Sequence, residues 1–290
     1  MSSAPLILAG AGDGLTEALR PHGSGDLLIV DVGAAEYSEA ALPAYAALLR
    51  SPGTRVVGFD AHADAQAAPA PGGQFVMLPY AIGDGGTHMF RSCAAPMTSS
   101  LFEPNIPWLE RFENLAELCR VVDRASIDTI PLDDVPEARG ATFLKVDVQG
   151  ATLMVLGGAR AVLEDVVVVQ TEVEFGPIYQ GTPRFGDVER FLASAGFAFH
   201  HFRDFGTRRE MSGTSAFGAR ATRQLWADAV FVPDFERMDR LSPSALLRLA
   251  AVAHDCYDVQ DLAHACLVRF DEAKGSQLAA AYRASFDKAE

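Results

Sequence analysis

Leu27–Tyr37 reads LLIVDVGAAEY, and this stretch decides the fold. An unbroken apolar run without alternation marks a strand covered on both faces. It ends in an acid, Asp31, and passes into a turn of small residues, Gly33, Ala34 and Ala35. Small residues there let a ligand approach the backbone. Helical spacing follows over Ser38–Arg50. The next apolar run, RVVGFD at Arg55–Asp60, also ends in an acid.

Working outward, the same alternation repeats. Apolar runs lie at Phe75–Ile82 (FVMLPYAI), Phe143–Asp147 (FLKVD), Val166–Phe175 (VVVVQTEVEF), Phe197–Phe202 and Leu225–Val232 (LWADAVFV). Helical segments are expected from about Ala151 to Leu163 and over Phe185–Ala195. Strand–helix–strand alternation predicts an α/β fold with a mostly parallel, Rossmann-like sheet and helices on both faces. Three parts are expected: an N-terminal segment over 1–26, an α/β domain over 27–235, and a C-terminal helical appendage over 236–290. An insertion at about 84–135 breaks the rhythm with turn signals and a strand near Val121–Pro131. The stripe Leu246, Leu249, Ala250, Ala253 reads as a packing surface or a homodimer contact.

The chain has 290 residues, with 24 Lys and Arg against 38 Asp and Glu, a formal charge of −14. That balance argues against general nucleic-acid binding, which needs clustered positive charge. It also argues against an electrostatic membrane anchor. A local basic patch remains around Arg203, Arg208, Arg209, Arg220 and Arg223. Hydrophobic residues make up 49% and charged residues 21%, so a buried core is expected rather than disorder. No apolar run approaches a membrane span, and the N-terminus lacks a basic stretch before its short apolar run. Cys93, Cys119, Cys256 and Cys266 are far apart and form no CxxC pair, so they read as thiols in a reducing compartment. A cytoplasmic location is the expectation.

Two loops compete for a nucleotide. Leu6–Gly14 (LILAGAGDG) superficially matches a dinucleotide fingerprint and would suit an NAD-dependent oxidoreductase. Only Leu15–Arg20 is then available for the crossover, whereas a parallel crossover needs a dozen or more residues. Leu27–Tyr37 has a crossover of full length. Asp60, one strand on, is an acid at the position that accepts hydrogen bonds from an adenosine ribose.

Several motifs, in order, resemble those of the FkbM-type methyltransferases. They are DVGA at Asp31–Ala34, VVGFD at Val56–Asp60, LPYAIGD at Leu78–Asp84 and SSLFEPN at Ser99–Asn105. FLKVDVQGATLMVLGGA at Phe143–Ala159, EVEFGPIYQGTPRF at Glu172–Phe185 and QLWADAVF at Gln224–Phe231 continue the series. The resemblance spans about Leu27 to Phe270. It implies a class I fold, S-adenosylmethionine as cofactor, and methylation of a hydroxyl on a sugar, glycan or secondary metabolite. The loop departs from the family pattern at Ala35, Glu36, Tyr37 and Ala61.

Each candidate residue has a functional and a structural reading. Asp31, Gly33 and Ala34 would face the methionine part of the cofactor, or Asp31 caps a helix. Asp60 would hold the ribose. Ala81, Ile82 and Gly83 would flank the adenine, or be core and turn; Asp84 would bond the adenine amino group, or belong to a GDGG turn. Asp147 and Gln149 would meet the sulfonium and the acceptor, or Asp147 caps the following helix.

Glu172 and Glu174 share one face of a strand, and two such acids are costly without partners. They are candidates, with Asp147, for a general base, less so for a metal pair, or for hydrogen bonds to sugar hydroxyls; the structural alternative is ion pairing with Lys145 and an arginine. Ser99, Ser100 and Asn105 would line an acceptor pocket, or form a turn, and Tyr179 and Arg184 follow in a loop that would close on the acceptor. His200 and His201 are further candidate bases, or surface residues. A non-catalytic relative that uses the fold for binding is the alternative function.

Overall fold

A computed structural model describes residues 14–34, 42–60, 74–211 and 220–286. The helix α1 (Leu15–Leu19) leads into the central strand β1 (Leu27–Val32). All six β1 residues are buried. Leu28, Val30 and Val32 enter one core layer, while Leu27 and Ile29 enter the layer on the opposite face. That two-sided burial is what an unalternated apolar run requires.

β2 (Thr54–Phe59) and β3 (Gln74–Leu78) pair in parallel outward from β1. On the other side of β1 lie β7 (Phe143–Val146) and β8 (Val168–Glu174), also parallel. β9 (Phe197–Arg208) and β10 (Arg223–Pro233) complete a seven-stranded sheet in the order β3-β2-β1-β7-β8-β10-β9. β10 inserts between β8 and β9 and is antiparallel to both. The order therefore reverses between β1 and β7, and ligands of open α/β sheets bind at such a switch point.

The insertion is a second sheet. β4 (Ala81–Ile82), β5 (Thr87–Cys93) and β6 (Val121–Ile130) pair in the order β4-β6-β5. The apolar run expected as one strand over Phe75–Ile82 is thus divided at Pro79. Proline has no N–H for a ladder. Ala81 and Ile82 pair instead with Thr129 and Ile130. Two short helices, α2 (Ile106–Leu109) and α3 (Leu115–Leu118), lie between β5 and β6.

The expected helix near Ala151–Leu163 forms as two pieces, α4 (Thr152–Gly157) and α5 (Val162–Asp165), parted at the Gly157–Gly158 pair. Within Ser38–Arg50, Ala44–Arg50 forms a 3₁₀ helix after Pro43. Residues 38–41 of that segment lie outside the described residues, as do residues 6–13 of the first glycine-rich loop and Ala35, Glu36, Tyr37 and Ala61. α6 (Phe185–Ser194) precedes β9, and α7 (Phe235–Met238) follows β10.

The C-terminal helices are α8 (Pro243–Tyr257), α9 (Gln260–Lys274) and α10 (Leu278–Phe286). α8 starts cleanly, with Ser242 Oγ accepting from the Ala245 N–H and Pro243 in the first turn. Leu246, Leu247, Leu249 and the run Ala250–Ala253 are all buried, in one cluster with Leu27, Ile29, Phe143 and Val168. Asp255 fastens α1 to it, accepting from the N–H groups of Leu15 (2.7 Å) and Thr16 (2.8 Å). α8 is therefore one of the layers covering the sheet rather than an appendage. Its stripe is consumed inside the chain and is not a free dimer surface. Among the described residues no helix is long and apolar enough to cross a membrane.

Candidate functional site

At the switch point β1 and β7 stay paired to their ends, and the residues that follow them approach closely. Gly33 has φ +83°, a conformation that L side chains rarely adopt. Its N–H and that of Ala34 both donate to the Phe59 carbonyl, and the Asp147 N–H donates to the Val32 carbonyl. A Cβ on Gly33 would collide with the Asp147 carbonyl. The main chains of Gly33 and Asp147 leave no room for a side chain between them.

A cavity of about 410 Å³ opens above this crossing. Gly33, Asp60, Ala81, Ile82, Asp147 and Gln149 line it. Ser99, Ser100, Tyr179 and Glu172 lie on its wall as well. The cavity thus gathers most of the residues singled out in the sequence. The β5–β6 hairpin and the segment between its strands form its roof, which is the role of the insertion.

Gln149 organises the middle. It stands at φ +48°, and Gly150 follows at φ +91°. Its Nε2 donates to Asp147 Oδ1 at 2.9 Å. Its carbonyl accepts from Ser100 Oγ at 2.6 Å. Tyr179 Oη donates to the Thr98 carbonyl at 2.9 Å, with Gln149 Oε1 at 3.2 Å as a second acceptor. Gln149 ties the roof, the β7 end and the loop after β8 together, beside the direct bonds of the Asn105 N–H to the Ile178 carbonyl and of the Gln180 N–H to the Glu103 carbonyl.

The acids crowd. Glu172 is paired across the sheet with Asp228 of β10, and Asp147 lies at the end of the neighbouring strand. Burial, then the charges of Asp147, Glu174 and Asp228, push the Glu172 carboxyl well above the usual carboxylate range. Burial and then Asp147 raise Asp228 to about 6, against the hydrogen bond from Gln170 Nε2 at 2.6 Å. Asp228 is a site neighbour that the sequence reading missed. Its signal was an acid in LWADAVFV at a position whose neighbours are buried.

Several expected site residues stand off the cavity wall, Gly83 and Asn105 among them, the Gly83 N–H donating to the Ile130 carbonyl. Asp31 is fully buried on the α8 face of the sheet, where it accepts from Tyr45 Oη (2.6 Å) and pairs with Lys145 Nζ (3.1 Å). Strand alternation sends its side chain away from the one at Val32. Lys145 is thereby committed to Asp31 rather than to the glutamates. Ala34 is core. Asp84 closes the GDGG turn, accepting from the Gly86 N–H (2.9 Å) and pairing with His88 (2.7 Å).

Glu174 lies behind Gly150 and Tyr179. Its Oε2 accepts from Thr182 Oγ1 at 3.1 Å, while its buried Oε1 has no hydrogen-bond partner. Burial raises this carboxyl to about 8. Arg184 is an exposed N-cap residue of α6 whose backbone N–H donates to Asp187 (2.8 Å).

His200 and His201 face each other on β9 with ring nitrogens 2.8 Å apart, away from the cavity. The basic patch is divided up: Arg209 pairs with Glu113, Arg223 with Glu210, and Arg208 lies over Trp226 at 4.8 Å. Arg208 and Trp226 both reach the cavity wall. Among the described residues, no three metal-ligating side chains cluster as a metal site.

A family model described as the methyltransferase FkbM domain matches residues 31–199. No curated protein matches the chain. Among solved structures, a magnesium protoporphyrin IX methyltransferase from Synechocystis PCC 6803 with bound SAM is similar at 12% identity. The alignment covers 76% of each chain with a TM-score of 0.34. A 16S rRNA (adenine(1408)-N(1))-methyltransferase from Catenulisporales acidiphilia with SAM is similar at 19% identity. It covers 81% of this chain and 99% of that one, with a TM-score of 0.33.

Proposed function

Because the chain belongs to the FkbM methyltransferase family, we propose that it is an S-adenosylmethionine-dependent methyltransferase acting on a hydroxyl oxygen. The observation that carries this reading is the convergence of Gly33, Asp60, Asp147 and Glu172 on one cavity at the sheet's switch point. The residues fit that cofactor. At the Gly33–Asp147 crossing main chain packs on main chain, so no side chain projects from Gly33 where it lines the cavity. Asp60, just past the end of β2, is an acceptor at the place where a ribose diol needs one. Ala81 and Ile82 offer small apolar flanks for an adenine.

When bound, S-adenosylmethionine supplies a sulfonium methyl to an oxygen nucleophile, leaving as the neutral thioether. Asp60 binds the ribose, and Asp147, held by Gln149, offers a carboxylate toward the cationic part of the ligand. Glu172 accepts the proton of the acceptor hydroxyl as the O–CH₃ bond forms. A carboxyl raised above its ordinary range is a stronger base once ionised, and nearby positive charge favours that ionised form. Alignment of the acceptor oxygen against the methyl supplies much of the remaining acceleration. The acceptor is a small molecule or glycan carrying a hydroxyl, and the compartment is the cytoplasm.

Calorimetry with S-adenosylhomocysteine and with NAD tests the cofactor half of this reading. Saturable binding of the first and none of the second is expected. The reverse pattern points to an oxidoreductase, and binding of neither to a non-catalytic relative.

A further inference from the structure

The wall of the cavity is built largely from hydrocarbon. Phe90, Leu101, Leu115, Leu118, Ile127 and Ile178 line it. Arg208 and Trp226 add a stacked pair at its edge. The hydroxyls in this region are already engaged within the protein. Thr98 Oγ1 donates to the Ala95 carbonyl (2.8 Å), with the Leu118 carbonyl at 3.1 Å. Ser99 Oγ accepts from the Cys93 N–H at 3.1 Å. Ser100 Oγ donates to the Gln149 carbonyl and accepts from the Phe102 N–H at 2.9 Å. Tyr179 Oη is spent on Thr98 and Gln149.

A sugar carries a hydroxyl on nearly every carbon. Each one buried without a partner gives up its hydrogen bonds to water with nothing in return. The described wall shows a ligand mostly carbon, and apolar ligand surface gains there in proportion to the area removed from water. The charged and amide groups of the wall are Asp60, Asp147, Gln149, Glu172 and Arg208, with Asp147 bonded to Gln149.

Resting on the methyl-transfer reading, we propose that the acceptor is an apolar ring compound rather than a free sugar. Its hydroxyl meets Glu172, and its ring system lies against the Leu118–Ile127 wall and the Arg208–Trp226 stack. The hydrocarbon of that wall makes the selection, reinforced by Thr98, Ser100 and Tyr179, whose O–H groups already donate within the protein.

The test is calorimetry on the full chain with two probes, 2-naphthol and methyl α-glucoside. S-Adenosylhomocysteine is titrated first, so failure of the cofactor reading shows in that arm alone. The probes are then titrated into the loaded chain, or into the unloaded chain if that arm fails. The expected result is saturable 2-naphthol binding, no binding of the glucoside at the same concentration, and at least tenfold weaker 2-naphthol binding in Leu118→Asn and Ile127→Asn. Thermal melting checks that both variants fold, with Leu118→Ala as the milder substitute. Glucoside binding as tight as naphthol binding, absence of naphthol binding, or naphthol binding indifferent to substitutions in the wall overturns the proposal.

Discussion

A Cβ built on Gly33 would lie 1.8 Å from the carbonyl oxygen of Asp147, so the residue after β1 and the residue after β7 meet in backbone contact. No rotamer relieves that clash, because the group struck is main chain. Gly33→Ala also forces a side chain into φ +83°. Left-handed strain alone costs about 1–3 kcal/mol, and the collision adds to it. The variant is expected to melt at a clearly lower temperature and to lose measurable S-adenosylhomocysteine binding. A variant with wild-type melting and affinity would show that the crossing yields easily.

Asp60 follows β2 and lines the same cavity. Asp60→Ala is expected to weaken S-adenosylhomocysteine binding by about 1–3 kcal/mol, the size of a lost charge-assisted hydrogen bond. Calorimetry on a folded variant reads it directly. Unchanged affinity would assign the ribose to another group.

The strands were legible because a strand buried on two faces writes itself as an unbroken apolar run, as Leu27–Val32 does. The place of β10 between β8 and β9 was not, since strand order depends on pairings far apart in sequence. α8 reads as a striped surface helix until its neighbours are seen. It is apolar on nearly every side, from Leu246 to Ala253, which is the mark of an interior helix. At the site, parity correctly put Glu172 and Glu174 on one face. It could not tell that Gly150 and Tyr179 screen Glu174 from the cavity that Glu172 reaches. For Asp31 the deciding partner was equally distant: Lys145, far along the chain, stands beside it in register, and together they form a buried pair.

Glu172 is expected to be the group whose ionisation limits the rate. Only its ionised form accepts a proton, and its carboxyl titrates above the usual range. The rate should therefore rise with pH through that raised value and level off above it. Glu172→Gln should lower turnover by about 100-fold or more and leave S-adenosylhomocysteine affinity nearly unchanged. Asp228→Asn removes a like charge opposite Glu172, so the rising limb should move to lower pH. A pH–rate profile of each variant, with a verified acceptor, checks all three. Full turnover in Glu172→Gln would hand the base role to Asp147.

α8 carries a fold-level expectation. Leu247 and Leu249 are fully buried against the sheet. Leu249→Ala should destabilise the chain by about 2–5 kcal/mol through lost burial and the cavity left behind. Removal of residues 242–290 should leave a chain that does not fold. A soluble truncated protein with a cooperative melt would restore the reading of these helices as an appendage.

Glu174 gives the stability prediction its sign. Its carboxyl titrates at about 8 in the folded chain, against an ordinary value of 4.5. Between those two values the folded state holds a proton that the unfolded state has released. Stability therefore falls as pH rises from about 4.5 to 8, with a slope set by that difference in bound protons. Glu174→Gln keeps a neutral, hydrogen-bonding side chain of nearly the same shape, and its amide oxygen still accepts from Thr182 Oγ1. The variant should match the wild type near pH 4.5 and exceed it progressively up to pH 8. At this chain length each kcal/mol corresponds to roughly 2–4 °C in Tm. Melting both proteins across that range checks the prediction, and the difference between them isolates Glu174 from Glu172, which titrates in both. A constant difference at every pH would mean that Glu174 is ionised in the folded chain, with a partner for its Oε1.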